Sequence, residues 1–133
     1  MKKIACIDVG LKRIGVALCM HGDIVSPQEA ILRKNREQAS SEVDAFLKEW
    51  DIELLVVGLP KSGGSCEEMQ RRISHFVGLL SFDKEIVYQD EYGSSVEAKE
   101  MMQGITRQKR DGKIDSMAAK VILERYLLAQ KED

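Results

Sequence analysis

The sequence has little of several residue types that commit a chain to a particular kind of structure. Of its 133 residues, three are cysteine, two are proline and one is tryptophan. The cysteines, Cys6, Cys19 and Cys66, are odd in number and scattered, which argues against a disulfide framework or a zinc knuckle and indicates reduced thiols in a cytosol. The longest apolar run, residues 54–59, is too short to cross a bilayer, and the start of the sequence shows no signal segment. We therefore expect a cytoplasmic protein without a membrane partner.

Charge of one sign is not in excess either. Lys and Arg number 20 against 22 Asp and Glu, so the net charge of −2 lacks the basic footprint typical of nucleic-acid binding. Three basic clusters are nevertheless present: Lys12 with Arg13; Arg33 and Lys34 with Arg36; and Arg107, Lys109, Arg110 and Lys113. With 44% hydrophobic residues, a chain this long can bury a core of its own. We expect one domain over residues 1–133 and exclude two large domains.

The spacing of apolar residues predicts an α/β fold in the order β-β-β-α-β-α-β-α-α. Strands are expected at residues 3–9, 14–20, 24–32, 53–57 and 85–89, and helices at residues 39–50, 65–80, 94–104 and 113–129. The first three strands form an antiparallel meander, the third being interrupted by Pro27. Capping boxes of Ser65 with Glu68 and of Ser94 with Glu97 start two of the helices. Because crossovers between parallel strands need a covering helix, the expected result is a mixed five-stranded sheet with helices on both faces.

Acidic residues lie at the boundaries of three of these apolar elements. Asp8 closes the first strand, and Asp90 and Glu91 follow the last one. Asp115 lies on the apolar stripe of the last helix. Carboxyl ends of parallel strands share one sheet edge, so Asp8 and Glu91 converge if the first and last strands are parallel neighbours, or nearly so. Carboxylates that close raise one another's pKa unless a divalent cation joins them. The pattern favours a site for two Mg²⁺ or Mn²⁺ ions about 4 Å apart, which could activate water at a phosphodiester.

Each acidic residue also has a purely structural interpretation. Asp8, two residues before Gly10, could be the acceptor of an Asx turn. Asp115 could be the N-cap of the last helix, and Asp90 with Glu91 could form a solvated strand end. The individual residues leave these alternatives open, and their joint placement at one predicted edge is what favours a metal site.

Basic residues near the predicted edge are candidate substrate contacts. Lys12 and Arg13 leave the turn directly after Asp8 and could hold a phosphodiester, or could belong to an exposed hairpin turn. A polar loop before the last helix carries a second set, which could guide a polyanion by its charge or could be ordinary solvated surface charge. This second set consists of Arg107, Lys109 and Arg110.

Four blocks of the sequence resemble the motifs of the YqgF (RuvX) family, in the same order and across nearly the whole chain. They are DVGLKRIG at 8–15, GLP at 58–60, DEYGSSVEA at 90–98 and GKIDSMAAKVIL at 112–123. The resemblance implies an RNase H-like fold related to the RuvC Holliday junction resolvases, and a nuclease that matures the 5′ end of pre-16S rRNA. It further implies a divalent-metal site in which Asp8, Glu91 and Asp115 are the catalytic residues.

Two positions depart from the pattern of that family. Tyr92 stands where an arginine is usual, and Leu11 stands where a small hydroxyl residue is usual. A tyrosine cannot form the two parallel hydrogen bonds with which an arginine binds a phosphate, so Tyr92 is expected to affect the positioning of the substrate. Two alternatives therefore stay open: a non-catalytic nucleic-acid or ribosome-binding factor, and a resolvase-like nuclease that acts on branched DNA.

The opening motif also resembles the first phosphate loop of actin-like ATPases and sugar kinases. Those proteins close two domains of this fold around a nucleotide, and 133 residues supply only one, so length argues against them. The expected partners are structured RNA such as pre-16S rRNA and a ribosomal particle. The sequence shows no exposed apolar stripe that would indicate a stable dimer interface, so we expect a monomer or a weak homodimer.

Overall fold

Eight helices and strands make up the part of the chain that the computed structural model describes, which is residues 2–61, 66–91 and 113–131. The strands are β1 (Ile4–Val9), β2 (Arg13–His21), β3 (Ile24–Leu32), β4 (Leu54–Leu59) and β5 (Glu85–Asp90). The helices are α1 (Arg36–Glu49), α2 (Cys66–Gly78) and α3 (Lys113–Lys131). None of these helices is long and apolar enough to cross a membrane.

The five strands form one mixed sheet in the order β3-β2-β1-β4-β5. β1, β2 and β3 pair antiparallel as the predicted meander, whereas β1 pairs parallel with β4, and β4 with β5. The first and last strands therefore run in the same direction, with β4 between them. They are nearly adjacent rather than direct neighbours, which is the second of the two arrangements that the sequence analysis allowed. Their carboxyl ends lie at one edge of the sheet.

β3 differs from its expectation, because Pro27 does not interrupt it. Pro27 lies within the strand, opposite Ala17 of β2. Within the described residues β3 is an edge strand that pairs with β2 alone, so a residue without an N–H is tolerated there. β4 continues to Leu59, two residues further than predicted, because its last two residues extend the parallel pairing with β5. The predicted N-caps Ser65 and Ser94, and the helix after Ser94, lie outside the described residues.

The larger core lies on the side of the sheet that α1 and α2 cover, which we call the α1/α2 face. Buried strand residues such as Ile7 and Leu55 pack there with Val43 and Leu47 of α1 and Phe76 of α2. Burying one such side chain stabilises a fold by about 1.5–3 kcal/mol relative to leaving it in water. This face therefore supplies much of the hydrophobic stabilisation of the domain.

The opposite side of the sheet, covered by α3, is the α3 face, and its core combines small residues with larger aliphatic ones. The cluster includes Cys6, Ala17 and Cys19 from the strands, and Ala119 and Ile122 from the helix. Helices thus cover both faces, which confirms the predicted α/β architecture. Small side chains allow a helix to lie close to a sheet, and the candidate site depends on this approach.

Candidate active site

Asp8 is the penultimate residue of β1 and lies on the α3 face. Alternate side chains of a strand share a face, and Cys6, two residues earlier, packs in the core beneath α3. Asp8 pairs with Gly15 of β2 and is partly buried. The N–H of Gly10 donates to the carbonyl oxygen of Arg13 at 3.0 Å, so backbone atoms close the turn. The interpretation of Asp8 as an Asx-turn acceptor is therefore wrong.

Glu91 reaches the same place from the far side of β4. Its N–H donates to the carbonyl oxygen of Leu59 at 3.3 Å, which continues the β4–β5 pairing one residue beyond β5. On the intervening strand, a Cβ atom at Gly58 would lie 3.3 Å from Oε2 of Glu91 and 2.7 Å from Cδ1 of Ile122. The missing side chain of Gly58 therefore leaves the space through which Glu91 contacts Asp8.

Asp115 is brought to the site by close packing of α3 on β2. A Cβ atom at Gly15 would lie only 2.0 Å from the carbonyl oxygen of Asp115, so the helix can take this position only over a glycine. One residue along each element, the N–H of Val16 donates to Oγ of Ser116 at 3.3 Å. Because α3 begins at Lys113, Asp115 lies within the first turn, and the N-cap interpretation is wrong.

The Asp8 carboxyl group is influenced by both of the other acids. Burial, a hydrogen bond with Glu91 and the charges of Glu91 and Asp115 raise the pKa of Asp8 well above its usual range. The pKa of the Cys6 thiol is also raised, by burial first and then by the charges of Asp8 and Glu91. Both shifts disfavour a further negative charge. The charges of Glu91 and Asp115 contribute to the shift at Asp8, so a cation placed among these carboxylates would be stabilised.

The donor set fits a hard divalent cation, because it consists of carboxylate oxygens. A protonated Asp8 donates its hydrogen bond to Glu91, and a cation bound by both groups would take the place of that proton. As the side chains stand, no three His, Cys, Asp or Glu residues within 2–61, 66–91 and 113–131 are placed to hold one ion. Asp8 and Glu91 are the contacting pair, and Asp115 acts on Asp8 through its charge.

Asp90 and Glu91 lie on opposite faces of the sheet. In β5, Ile86 packs with the core of the α1/α2 face and Val87 packs with the core of the α3 face. Continuing this alternation places Asp90 on the side of Ile86 and Glu91 on the side of Val87. Glu91 is therefore the member of the pair that shares a face with Asp8.

The predicted basic contacts are only partly described. Lys12 is exposed in the turn between β1 and β2, and Arg13 begins β2 with its side chain partly buried. Both follow Asp8 by a few residues, at the same edge of the sheet. The remaining predicted contacts, Arg107, Lys109 and Arg110, lie outside the described residues, as does Tyr92.

Three residues that position the site were missed by the sequence analysis. Gly15 and Gly58 allow the close approach of α3 and of Glu91, and Ser116 ties α3 to β2. A glycine inside a predicted strand is a signal of close approach by another group, and Gly15 carries it. Gly58 lies one residue after the strand predicted at 53–57, and the structure includes it in β4. Nothing in the local sequence distinguishes Ser116 from a solvent-exposed serine, because its partner is 100 residues away.

Comparison with other sequences shows the family. The RuvX family, described as Holliday junction resolvase, matches residues 2–129 of the chain. A protein of Sulfurovum sp. (strain NBC37-1) is 69% identical over 125 residues, which cover 94% of this chain and 98% of that protein. A protein of Sulfurimonas denitrificans is 53% identical over 127 residues, covering 96% of this chain and 97% of that protein. Both relatives bear the name "Putative pre-16S rRNA nuclease".

Solved structures show the fold. The T. thermophilus RuvC in complex with a Holliday junction substrate has a TM-score of 0.62 at 11% identity, covering 99% of this chain and 97% of that one. The Fowlpox virus resolvase with its junction DNA has a TM-score of 0.58 at 12% identity, covering 96% and 98%. These likenesses confirm the expected RNase H-like fold. With a family match over residues 2–129 and relatives that share more than half of its residues, this chain belongs to the RuvX family.

Proposed function

We propose that this protein is a metal-dependent endonuclease that cleaves pre-16S rRNA by attack of water on a phosphodiester bond. Its ligands for two Mg²⁺ or Mn²⁺ ions are Asp8, Glu91 and Asp115. The observation that carries the proposal is the convergence of these acids, two in contact and the third close enough to raise the pKa of Asp8. Their mutual repulsion is relieved when a divalent charge lies among them, so binding favours closer approach of the side chains.

Bound divalent ions at such a site activate water and stabilise the leaving oxygen of the phosphodiester. The residues of the chain prepare the site for this chemistry. The pKa of Asp8 is raised, so this group must be ionised before it can bind metal, because a carboxylate binds metal in its ionised form. Lys12 and Arg13, in the turn after β1, hold the phosphodiester by their charge, and no covalent intermediate with the protein forms.

The remaining acidic and basic candidates have supporting roles in this proposal. Asp90 lies next to Glu91 on the other face of β5, so we assign it at most an indirect part in holding the ions. Arg107, Lys109 and Arg110 guide the polyanion towards the edge by long-range attraction. A single domain over residues 1–133, acting in the cytoplasm as a monomer or weak homodimer, suffices for this reaction.

The choice of substrate rests on the relatives. Those that share 69% and 53% of aligned residues are named for pre-16S rRNA, which favours precursor rRNA, free or within a ribosomal particle. The family description and the two solved resolvases favour a second candidate, branched DNA. One fold can serve several substrates, so the two candidates must be separated by assay.

The test compares Asp8→Asn with the wild type on a precursor rRNA fragment and on a four-way DNA junction, each with Mn²⁺ or with EDTA. We expect the wild type to cleave the RNA only with metal, and Asp8→Asn to lose at least about 100-fold in rate because a charged ligand is removed. Calorimetry with Mn²⁺ should show weaker binding by the variant. Asp83→Asn, an exposed carboxylate before β5, is the matched control and should behave as the wild type.

The results separate the alternatives. Cleavage of the junction but not of the RNA would replace the proposed substrate by branched DNA. Equal cleavage by the wild type and Asp8→Asn, with no Mn²⁺ binding to either, would refute the nuclease assignment. RNA binding without cleavage by any form would leave a non-catalytic binding factor.

A further inference from the structure

A basic groove of about 630 Å³ lies on the side of the molecule that α1 and α2 occupy. Its basic lining residues are Arg33, Lys34, Arg36, Arg71, Arg72 and His75, and no acidic residue is among the described residues that line it. The whole chain has a net charge of −2. Positive charge is therefore concentrated in this groove against the average of the molecule.

The groove is assembled from two elements that are distant in sequence. Arg33 and Lys34 follow β3, and Arg36 begins α1, whose start is held by a capping box of Asn35 and Gln38. The N–H of Gln38 donates to Oδ1 of Asn35 at 2.7 Å. α2 supplies the facing residues, Arg71, Arg72 and His75. One wall is α2 and the other is the short segment between β3 and the capped start of α1, so the spacing of the charges is set by the fold.

Arg33 connects the groove to the candidate active site. Its Nη1 donates to the carbonyl oxygen of Gly10 at 2.9 Å, and its backbone N–H donates to the carbonyl oxygen of Lys12 at 2.8 Å. The guanidinium also lies over the ring of Phe76, 5.2 Å from the ring centre. Gly10 and Lys12 belong to the turn directly after Asp8. The groove and the acidic edge thus adjoin the same turn, from opposite faces of the sheet.

Most of the charge in the groove is not neutralised by the described part of the protein. Arg72 forms an ion pair with Glu68, at 2.7 Å on the same helix. Lys34, Arg36 and Arg71 are exposed and form no ion pair within residues 2–61, 66–91 and 113–131. Like charges that face each other across a groove repel, and a bound polyanion removes this repulsion.

We propose that the groove binds the sugar–phosphate backbone of the RNA substrate and leads the strand over the turn at residues 10–12 to the acidic edge. This inference rests on the proposed function for the identity of the polyanion. The lining favours backbone over bases, because it is mostly Arg and Lys, which pair with phosphates, and no Phe, Tyr or Trp is among the described residues that line it. Phe76 is buried beneath Arg33 and offers no exposed ring face.

The experiment measures RNA binding without cleavage. Anisotropy of a labelled single-stranded fragment of precursor rRNA is recorded in EDTA, in an Asp8→Asn background, over a series of salt concentrations. We expect Arg36→Glu with Arg71→Glu to raise Kd at least tenfold. The slope of log K against log salt should fall by about 1.4, since each lost contact to a single strand removes about 0.7. Arg36→Lys with Arg71→Lys should keep most of the affinity and the slope.

The matched control is Lys48→Glu with Lys84→Glu, the same charge change in a separate groove that also contains Asp44 and Asp51. It should bind RNA with nearly the slope of the parent protein. Equal losses in the groove variant and this control would mean that only net charge matters, and would overturn the proposal. Unchanged RNA binding by the groove variant would also overturn it. None of these outcomes depends on whether the protein cleaves RNA.

Discussion

The two faces of the sheet use opposite packing strategies. On the α1/α2 face, large side chains such as Leu55 and Phe76 fill the space between sheet and helices. On the α3 face, Gly15 and Gly58 leave space that backbone and acidic groups occupy. One face buries apolar volume and stabilises the fold. The other face has glycines in place of larger side chains, which allows α3 and Glu91 to lie close to Asp8. Substitutions on the two faces should therefore have different consequences, and three predictions test this.

The largest effect on stability should come from the α1/α2 face. Leu55→Ala removes a fully buried side chain and leaves a cavity, so the free energy of unfolding should fall by about 2–5 kcal/mol. Urea denaturation followed by circular dichroism measures this change. Leu128→Ala, at a residue 61% exposed, is the control and should stay within about 0.5 kcal/mol of the wild type. A loss below about 1 kcal/mol for Leu55→Ala would contradict the assignment of the main core to this face.

The next effect should come from the α3 face, where added volume is harmful. Gly15→Ala places a Cβ atom 2.0 Å from the backbone of α3, and forcing the helix away should cost about 1–3 kcal/mol and move Asp115 from the site. We expect a loss of Mn²⁺ affinity that exceeds what the stability change explains. Gly78→Ala, where a Cβ meets nothing within 4 Å, is the matched control and should stabilise the protein slightly. Normal Mn²⁺ binding by folded Gly15→Ala would break the proposed link between this glycine and the site.

The smallest effect is a gain of stability from removing a charge. Because the folded protein raises the pKa of Asp8 above its unfolded value, protonated Asp8 favours the fold, and this contribution is lost as pH rises through the folded pKa. In EDTA at pH 8, Asp8→Asn should therefore be more stable than the wild type by about 1 kcal/mol, or about 4 °C in Tm. The difference should shrink as pH falls towards 4.

Differential scanning fluorimetry at several pH values measures this difference directly. Saturating Mn²⁺ should reverse the order at pH 8, because a ligand held at 100 times its Kd stabilises the wild type by about 2.7 kcal/mol. Asp83→Asn should follow the wild type throughout. If Asp8→Asn were less stable than the wild type in EDTA at pH 8, the electrostatic picture of the site would be wrong.

Much of the fold could be predicted because it depends on short-range patterns. Alternation in β1 and the helical spacing around Val43 and Phe76 indicated the elements, and the order of elements indicated the sheet. The failures have tertiary causes. Pro27 is accommodated because, in the described part of the chain, β3 has a neighbouring strand on one side only. The position of a strand in a sheet cannot be read from the sequence of that strand.

The candidate site shows the same division. Asp8, Glu91 and Asp115 were selected from the sequence because ionisable groups at the ends of apolar elements are costly without a function or a partner. Their identity as ligands came from resemblance to a family and stays a proposal. Their convergence depends on Gly15 and Gly58, whose importance lies in atoms far away in the sequence.

The sequence by itself determined the class of fold, the family and the acidic candidates, since periodicity, motif order and residue chemistry are local properties. Tertiary structure decided which groups meet. Glu91, and not its neighbour Asp90, lies on the same face of the sheet as Asp8, because side chains alternate along β5. Arg33, Arg36 and Arg71 form one groove because β3, α1 and α2 pack together. These contacts join segments that are far apart in the chain, and local sequence patterns do not specify the distances between such segments.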